Sequence, residues 1–243
     1  MIHPTALVHP KAKIGKNVTI GAYSVIAQHV YIGENTKIGA HVVIDGMTYI
    51  GKSNQIMSFC SIGMVPQDLK YNNAGITYIG NQNFIREYVS IHRGTRGITY
   101  IGDQNLLMCY VHVAHDCQIA NHVILVNGVN LAGHVRIASH GVVGGLSGVH
   151  QFVEIGRLSM IGGMSKIDRD VPPYMIVEGN PARIRGINLV GLRRKHIPEK
   201  HVTALKKMWM LMKKTNWENQ IEDEYVQQVQ KFWFNSHRGV IEI

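Results

Sequence analysis

Charged residues are scarce in this chain: Asp, Glu, Lys and Arg make up 17% of its 243 residues, against about a quarter in an ordinary soluble protein. That shortage disfavours a helical bundle, whose exposed faces need many charges. Cysteine is scarcer still. The three residues, Cys60, Cys109 and Cys117, are odd in number and form no C-x-x-C pair. They fit neither a disulfide framework nor a zinc knuckle, and read as small core residues in a reducing compartment. The start of the chain, MIHPTALVHP, has no basic segment followed by an apolar one. No uninterrupted apolar run approaches the ~18 residues of a membrane span. A cytoplasmic protein with no integral membrane segment is expected. A G-x-S-x-G elbow and a P-loop are also missing, which disfavours a serine hydrolase or a kinase.

Other residues are plentiful. Hydrophobic residues reach 45% and glycine 25 copies, enough for a sizeable core and for repeated tight corners. The formal net charge of +9 points to an anionic partner. Nucleic acid is not expected, because the charge is not interleaved with surface aromatics. Histidine, at 14 copies, is unusually frequent.

An aliphatic residue recurs every sixth position from Ile2 through Val8, Ile14 and Ile20 to Ile62, again at Ile79, Ile85 and Ile91, and from Ile101 to Ile167. All 26 positions are Ile, Leu or Val. The next residue is often Gly (Gly15, Gly21, Gly33, Gly39), and the fourth is small or β-branched (Val18, Ser24, Val30, Thr36). A period of six matches neither a helix nor an alternating strand. It matches short strands joined by corners, the hexapeptide signature of a parallel β-helix. Three hexads make a triangular coil, so residues 18 apart stack at about the ~4.8 Å inter-strand spacing. Families with this signature form a left-handed coil; the spacing alone does not give the hand. The expected class is mainly β, a left-handed parallel β-helix with a C-terminal helical domain.

Two gaps break the period, and each adds a loop that must leave the coil, VPQDLKYNNAG after Ile62 and HRGTRG after Ile91. Loops on a rigid scaffold commonly bind ligand. The repeat is expected to stop at Asp170-Val171-Pro172-Pro173, since two prolines cannot continue a ladder, with a linker after it. From Pro198, Val202, Leu205, Met208 or Trp209, and Met212 share a helical face, with Lys206, Lys207, Lys213 and Lys214 elsewhere. A second helix over roughly 218–235 is expected to bury Tyr225, Val229, Phe232 and Trp233. The domains predicted are 1–186 and 187–243, with the tail packed on the coil end or a neighbouring subunit.

The 18-residue rule turns spacing into proximity. It stacks His115 beneath Gly133 and Gly133 beneath Gln151, with His134 and His150 alongside. Allowing for the second gap, His92 lies one coil below Ala114, and His112 shares that hexad boundary. Five imidazoles are thus expected on one flank beside an inserted loop. Acyl transfer to a hydroxyl needs a base of near-neutral pKa, a carboxylate to orient it and an N–H for the oxyanion. His115, the adjacent Asp116 and the amide of Gly133 fit those roles. Metal binding is disfavoured, because no His pair before residue 170 has the five-residue spacing of zinc-binding hexapeptide coils.

SIGMVPQDLKY, IHRGT, DQNLLM, HVAHDC, LAGHV, VHQF, DVPPY and GINLVGLRR, spread along the whole chain, together resemble the UDP-N-acetylglucosamine acyltransferases of lipid A biosynthesis. The resemblance implies a homotrimer with sites in clefts between subunits. It implies transfer of an (R)-3-hydroxyacyl group from acyl carrier protein to the glucosamine 3-position of a UDP-sugar, without cofactor or metal. By the same resemblance His115 is the general base, Asp116 its partner and Gly133 the oxyanion donor. Asp68, Lys70, His92, Met108, His112, His134, His150 and Gln151 match substrate-contacting positions. Asn188 and Arg194 match positions near the nucleotide, and Gly163 the position that sets acyl-chain length. The chain departs from the pattern at Val190, where Glu is common, and at Pro181, where His is common. A 3-amino sugar nucleotide as acceptor stays open, as does a non-enzymatic binding or assembly coil. The related N-acyltransferase would normally carry an extra N-terminal domain, whereas here the repeat begins at Ile2.

Overall fold

Each hexad folds as its aliphatic residue demands. The repeat residue ends a short strand with its side chain turned inward, so Ile32, Ile44, Ile50 and Ile62 are fully buried. The residue four further on turns inward too: Val18, Ser24, Val30, Thr36 and Val42 are buried. Two inward residues in six fill a thin triangular prism and leave the rest to face out. The third residue after the aliphatic one takes the left-handed conformation that turns the corner, as at Asn17, Tyr23, His41 and Asp116, with φ of 56–59°.

The computed structural model, which describes residues 1–70, 75–212 and 221–243, stacks these strands into three sheets. Among the described residues the first face has nine strands, Leu7–Val8 to Lys166–Ile167, and the second has eight, Lys13–Ile14 to Glu154–Ile155. The third has ten, Thr19–Ile20 to Ala182–Ile187. The architecture is the parallel β-helix expected from the repeat. Register advances eighteen residues per turn, as in Ser61 on Val43 and Asn130 on His112. Across the first insertion it advances twenty-nine, Ser61 to Ser90, and across the second twenty-two, Ser90 to His112. Both insertions leave the coil between the first and second faces, so they stack on a single edge.

The three edges differ in chemistry. Between the third and first faces runs a ladder of stacked rings, Tyr23, His41, Phe59, Tyr88 and Tyr110, with centroids 4.8–5.1 Å apart. Exposed Leu146 and Met164 continue it. The edge between the second and third faces presents Asn17, Asn35, Ser53, Gln82 and Gln104. Just inside that edge Asn54, Asn83 and Asn105 form a buried column. Asn83 donates from Nδ2 to Asn54 Oδ1 at 3.0 Å, and its own Oδ1 accepts the Asn105 N–H at 2.9 Å. None of the cysteines is bridged; burial pushes the Cys60 and Cys117 thiols up to about 12.

Two expectations need correction at the C-terminal end. The prolines do not end the ladder: Val171 still bridges Ile155, and the strand Met175–Gly179 joins the third face parallel to Met160–Ile161. Pro172 and Pro173 fall at the corner between them, where no ladder N–H is needed. The expected linker contains a strand, Ala182–Ile187, antiparallel to Met175–Gly179. Among the described residues three helices follow, α1 (Leu189–Arg194), α2 (Glu199–Met212) and α3 (Glu224–Asn235). Helix α2 buries Val202, Leu205, Met208 and Met212, as its period requires. Helix α3 starts later than expected, because Asp223 caps it by accepting the Tyr225 and Val226 amides. It buries Val226 and Val229, while Tyr225, Phe232 and Trp233 are only half-buried. Lys213, Lys214 and residues 218–220 of the expected second helix lie outside the described residues. The tail packs on the coil end: Asp170 donates its N–H to Gly239 and accepts that of Ile241, and Ser236 Oγ donates to its carboxylate at 2.6 Å. No helix among the described residues is long and apolar enough to cross a membrane.

Candidate active site

His115 stands in the turn after the strand His112–Val113 and is 8% exposed. Its Nδ1 lies 2.9 Å from Asp116 Oδ2. The same oxygen accepts the Thr95 amide at 3.0 Å and the Thr95 hydroxyl at 2.8 Å. Burial works to raise the Asp116 pKa, but the Thr95 amide, His115 and the Thr95 hydroxyl outweigh it and hold the pKa below the ordinary value. An oxygen accepting from every side is a carboxylate oxygen, so His115 Nδ1 carries the proton and Nε2 the lone pair. The imidazole is therefore presented as a base. His115, Asp116 and His134 have ligating atoms within 4.8 Å of one another. Oδ2 of Asp116 is the oxygen engaged by these hydrogen bonds.

Gly133 sits one coil above, close against the imidazole. A Cβ there would meet His115 Cε1 at 2.5 Å and Nε2 at 2.7 Å. The ladder explains why its amide is free. In each turn the first amide after the aliphatic residue bonds the coil above, as Ala132 does to Val149, and the third bonds the coil below, as His134 does to His115. The second makes no backbone bond; in several turns a side chain one coil up takes it, as Asn121 Oδ1 takes the Asp103 N–H, but among the described residues no acceptor takes the Gly133 N–H. A base and an unspent donor thus lie side by side.

A groove of about 460 Å³ runs along the first face from this pair. His92, His112, His115, Gly133, His150 and Gln151 line it, joined by Gln67, Asn130 and Lys166. The rings of His92 and His112 meet edge to face at 4.8 Å, and Ser90 Oγ lies 2.8 Å from His112 Nδ1. Burial, with help from His112 and His115, pulls the His92 pKa down to about 4; burial also lowers that of His112. His92 Nδ1 is buried without a hydrogen-bond partner among the described residues. Such a nitrogen invites a ligand.

Four of the five imidazoles share the groove, and His134 does not. It occupies a left-handed corner (φ 63°), which swings its ring out past the edge to stack on Phe152 at 4.5 Å. It still meets the His115 ring edge to face at 5.1 Å, and its Nε2 lies 3.8 Å from Asp116. Asp68 and Lys70 lie on the first loop, where Asp68 Oδ1 accepts the Lys70 amide. Met108 and Gly163 lie on the ring-ladder edge, away from the groove. Asn188 caps α1 through Oδ1 and donates from Nδ2 to Leu158 O at 2.8 Å; Arg194 is exposed at the end of α1. Gln67, Asn130, Gly148 and Lys166 are lining residues that escaped the sequence reading. Asn130, Gly148 and Lys166 follow His112 at intervals of eighteen on one column, so the stacking rule would have found them. Thr95 and Thr99, whose hydroxyl accepts the Asp116 N–H at 2.8 Å, had no signal beyond their place near a loop.

A hexapeptide coil with an oriented imidazole and a free amide defines a hexapeptide-repeat transferase. The bacterial transferase hexapeptide family matches residues 1–46 and 98–133, and the description "UDP N-acetylglucosamine O-acyltransferase; Domain 2" matches residues 170–241. The acyl-[acyl-carrier-protein]–UDP-N-acetylglucosamine O-acyltransferase of Aliarcobacter butzleri is 43% identical, over 98% of this chain and 97% of its own. That of Verminephrobacter eiseniae is 48% identical, over 87% and 82%. The solved structure of LpxA from Acinetobacter baumannii superposes with a TM-score of 0.94 at 43% identity, covering 99% of both chains. UDP-N-acetylglucosamine acyltransferase from Campylobacter jejuni gives 0.94 at 36% identity, covering 100% of both. This chain belongs to the UDP-N-acetylglucosamine O-acyltransferase family.

Proposed function

We propose that this chain moves an (R)-3-hydroxyacyl group from acyl carrier protein to the glucosamine 3-hydroxyl of UDP-N-acetylglucosamine, the first step of lipid A biosynthesis. The observation that carries the reading is the His115–Asp116 pair at 2.9 Å with Gly133, whose amide has no acceptor among the described residues, packed against the imidazole. His115 Nε2 takes the proton of the sugar hydroxyl as its oxygen attacks the thioester carbonyl. The Gly133 N–H then holds the tetrahedral oxyanion. Collapse breaks the C–S bond, and the imidazolium returns its proton to the departing thiolate. His92, His112, His150 and Gln151 line the path of the reacting groups. At His92 and His112, where burial lowers the pKa, neutral imidazoles suit that task, since they hydrogen-bond hydroxyls without competing for the base's proton.

The working unit in this reading is a cytoplasmic homotrimer with its sites in clefts between subunits. One chain carries half a site: Met108, Gly163, Asn188 and Arg194 lie away from the groove that His115 lines. The ring ladder is the apolar edge that another subunit would cover, and it carries Met108 and Gly163. Residues 1–186 form the transfer body in this reading, and 187–243 the basic helical part that meets the acidic carrier. The test is to incubate the protein with hydroxyacyl carrier proteins of several lengths and with UDP-N-acetylglucosamine or its 3-amino analogue, identifying products by mass. An O-acylated sugar nucleotide is expected. Product from the amino analogue alone moves the acceptor to nitrogen, and no acyl product with either overturns the reading.

A further inference from the structure

The second insertion wraps a single carboxylate. Asp116 occupies a left-handed corner (φ 59°), the position from which His134 and Phe152 project outward on the coils above. Besides His115, the hydrogen bonds that hold its carboxylate come from the inserted loop 93–97. The loop is pinned at its start by Arg93, which is 9% exposed, donates its N–H to Met64 O and reaches Gly63 O with Nη1 at 3.3 Å. It is pinned further on by Gly94 N–H to Ile76 O and by Ile76 N–H to Gly97 O. Its glycines let it close on itself and on the carboxylate: a Cβ at Gly94 would run into the Gly97 carbonyl and lie 2.7 Å from Asp116 Oδ1, and one at Gly97 would lie 3.0 Å from the same oxygen. Between them Thr95 delivers two donors, amide and hydroxyl, to Oδ2. That is the oxygen facing His115 Nδ1.

We propose that Thr95 is the positioning residue of the base: it locks the Asp116 carboxylate onto His115, and the second insertion serves to deliver it. This rests on the assignment of His115 as general base. Thr95 is not among the residues lining the groove, so it acts through Asp116 and not on substrate. Its donors do two things. They keep Oδ2 turned to Nδ1, which fixes the tautomer that leaves Nε2 free. They also draw off part of the carboxylate's charge, so removing one of them changes the field at the imidazole.

The test compares Thr95→Val and Thr95→Ser with the unaltered protein, and includes His115→Ala in the same assay. Thr95→Val keeps the amide and the side-chain shape but loses the hydroxyl. It should lower kcat about tenfold, leave KM for both substrates within about twofold, and move the acidic limb of the kcat/KM profile to higher pH. Thr95→Ser should restore both kcat and the limb. If Thr95→Val proves unstable, the pair Thr95→Ser and Thr95→Ala makes the same comparison without the methyl group. A hydroxyl-free variant with kcat within twofold of the parent overturns the proposal. So does a loss of activity that leaves the limb unmoved and that serine does not restore. Near-normal turnover by His115→Ala overturns the base assignment itself. An inactive His115→Ala beside an unaffected Thr95→Val removes only the role of Thr95.

Discussion

Position 133 admits no side chain without moving the imidazole beneath it. A methyl group there would stand 2.5 Å from His115 Cε1, closer than packed atoms tolerate, so the ring must shift. A misplacement of about 1 Å at a reacting group costs about 10²-fold. Gly133→Ala is therefore expected to lose about that much kcat while its melting temperature stays within a few degrees of the parent; steady-state kinetics beside a melting curve checks it. His92 supplies a prediction of another kind. Its folded-state pKa near 4 lies below its ordinary 6.5, so between those values the unfolded chain binds a proton that the folded chain refuses. Stability then rises with pH across that window and is lost as pH falls from 6.5 toward 4. His92→Asn should flatten the fall in melting temperature over that range; an unchanged slope would assign the acid sensitivity to other groups.

At the scale of elements, the coil is held by columns that repeat every turn. The asparagine column is the one with most to lose. Asn83 donates from Nδ2 to Asn54 Oδ1 and Gly102 O, and its Oδ1 accepts the Asn105 N–H. Asn83→Leu leaves those buried groups unpaired at about 1–3 kcal/mol each. A clear drop in the denaturation midpoint is expected, with kcat retained, because the column lies on the edge away from the groove. A midpoint within experimental scatter of the parent would mean that the neighbouring coils absorb the loss. The insertions behave as elements too. Both emerge on the edge that carries His115, the first resting on the second through Gly75, where a Cβ would run into Gly94 O.

For the whole molecule, the three edges assign three surroundings. The asparagine and glutamine edge suits water, the insertion edge carries the His115–Asp116 pair, and the ring ladder is an exposed apolar strip that soluble proteins seldom leave uncovered. Light scattering should give a trimer at micromolar concentration, and a monomer would remove the shared cleft. The basic tail should steer the acidic carrier by a field screened over ~10 Å at 0.1 M salt. Lys200, Lys206 and Lys207 are exposed on α2. Affinity for the carrier-bound donor should fall as salt rises, whereas a carrier-free acyl thioester should show little dependence. Replacing the three lysines by Gln should flatten that salt dependence. A KM unchanged at every ionic strength would leave this helix face merely solvated.

The hexad spacing by itself determined the coil, its three faces, the places where it is interrupted and the stacking of His92, His112, His115 and Gly133. A solenoid makes this possible, because each residue's neighbours lie at a constant offset and long-range contact becomes arithmetic. Arithmetic fails where the offset no longer applies. Only the tertiary structure decided that His134 turns away from the groove, since the direction of a side chain depends on the φ of its corner and not on its place in the count. It alone carried the third face past Pro172 and Pro173, because a corner tolerates a missing donor that a ladder does not. It alone brought Thr95 to Asp116. An insertion has no register, and its path is set by what pins its ends.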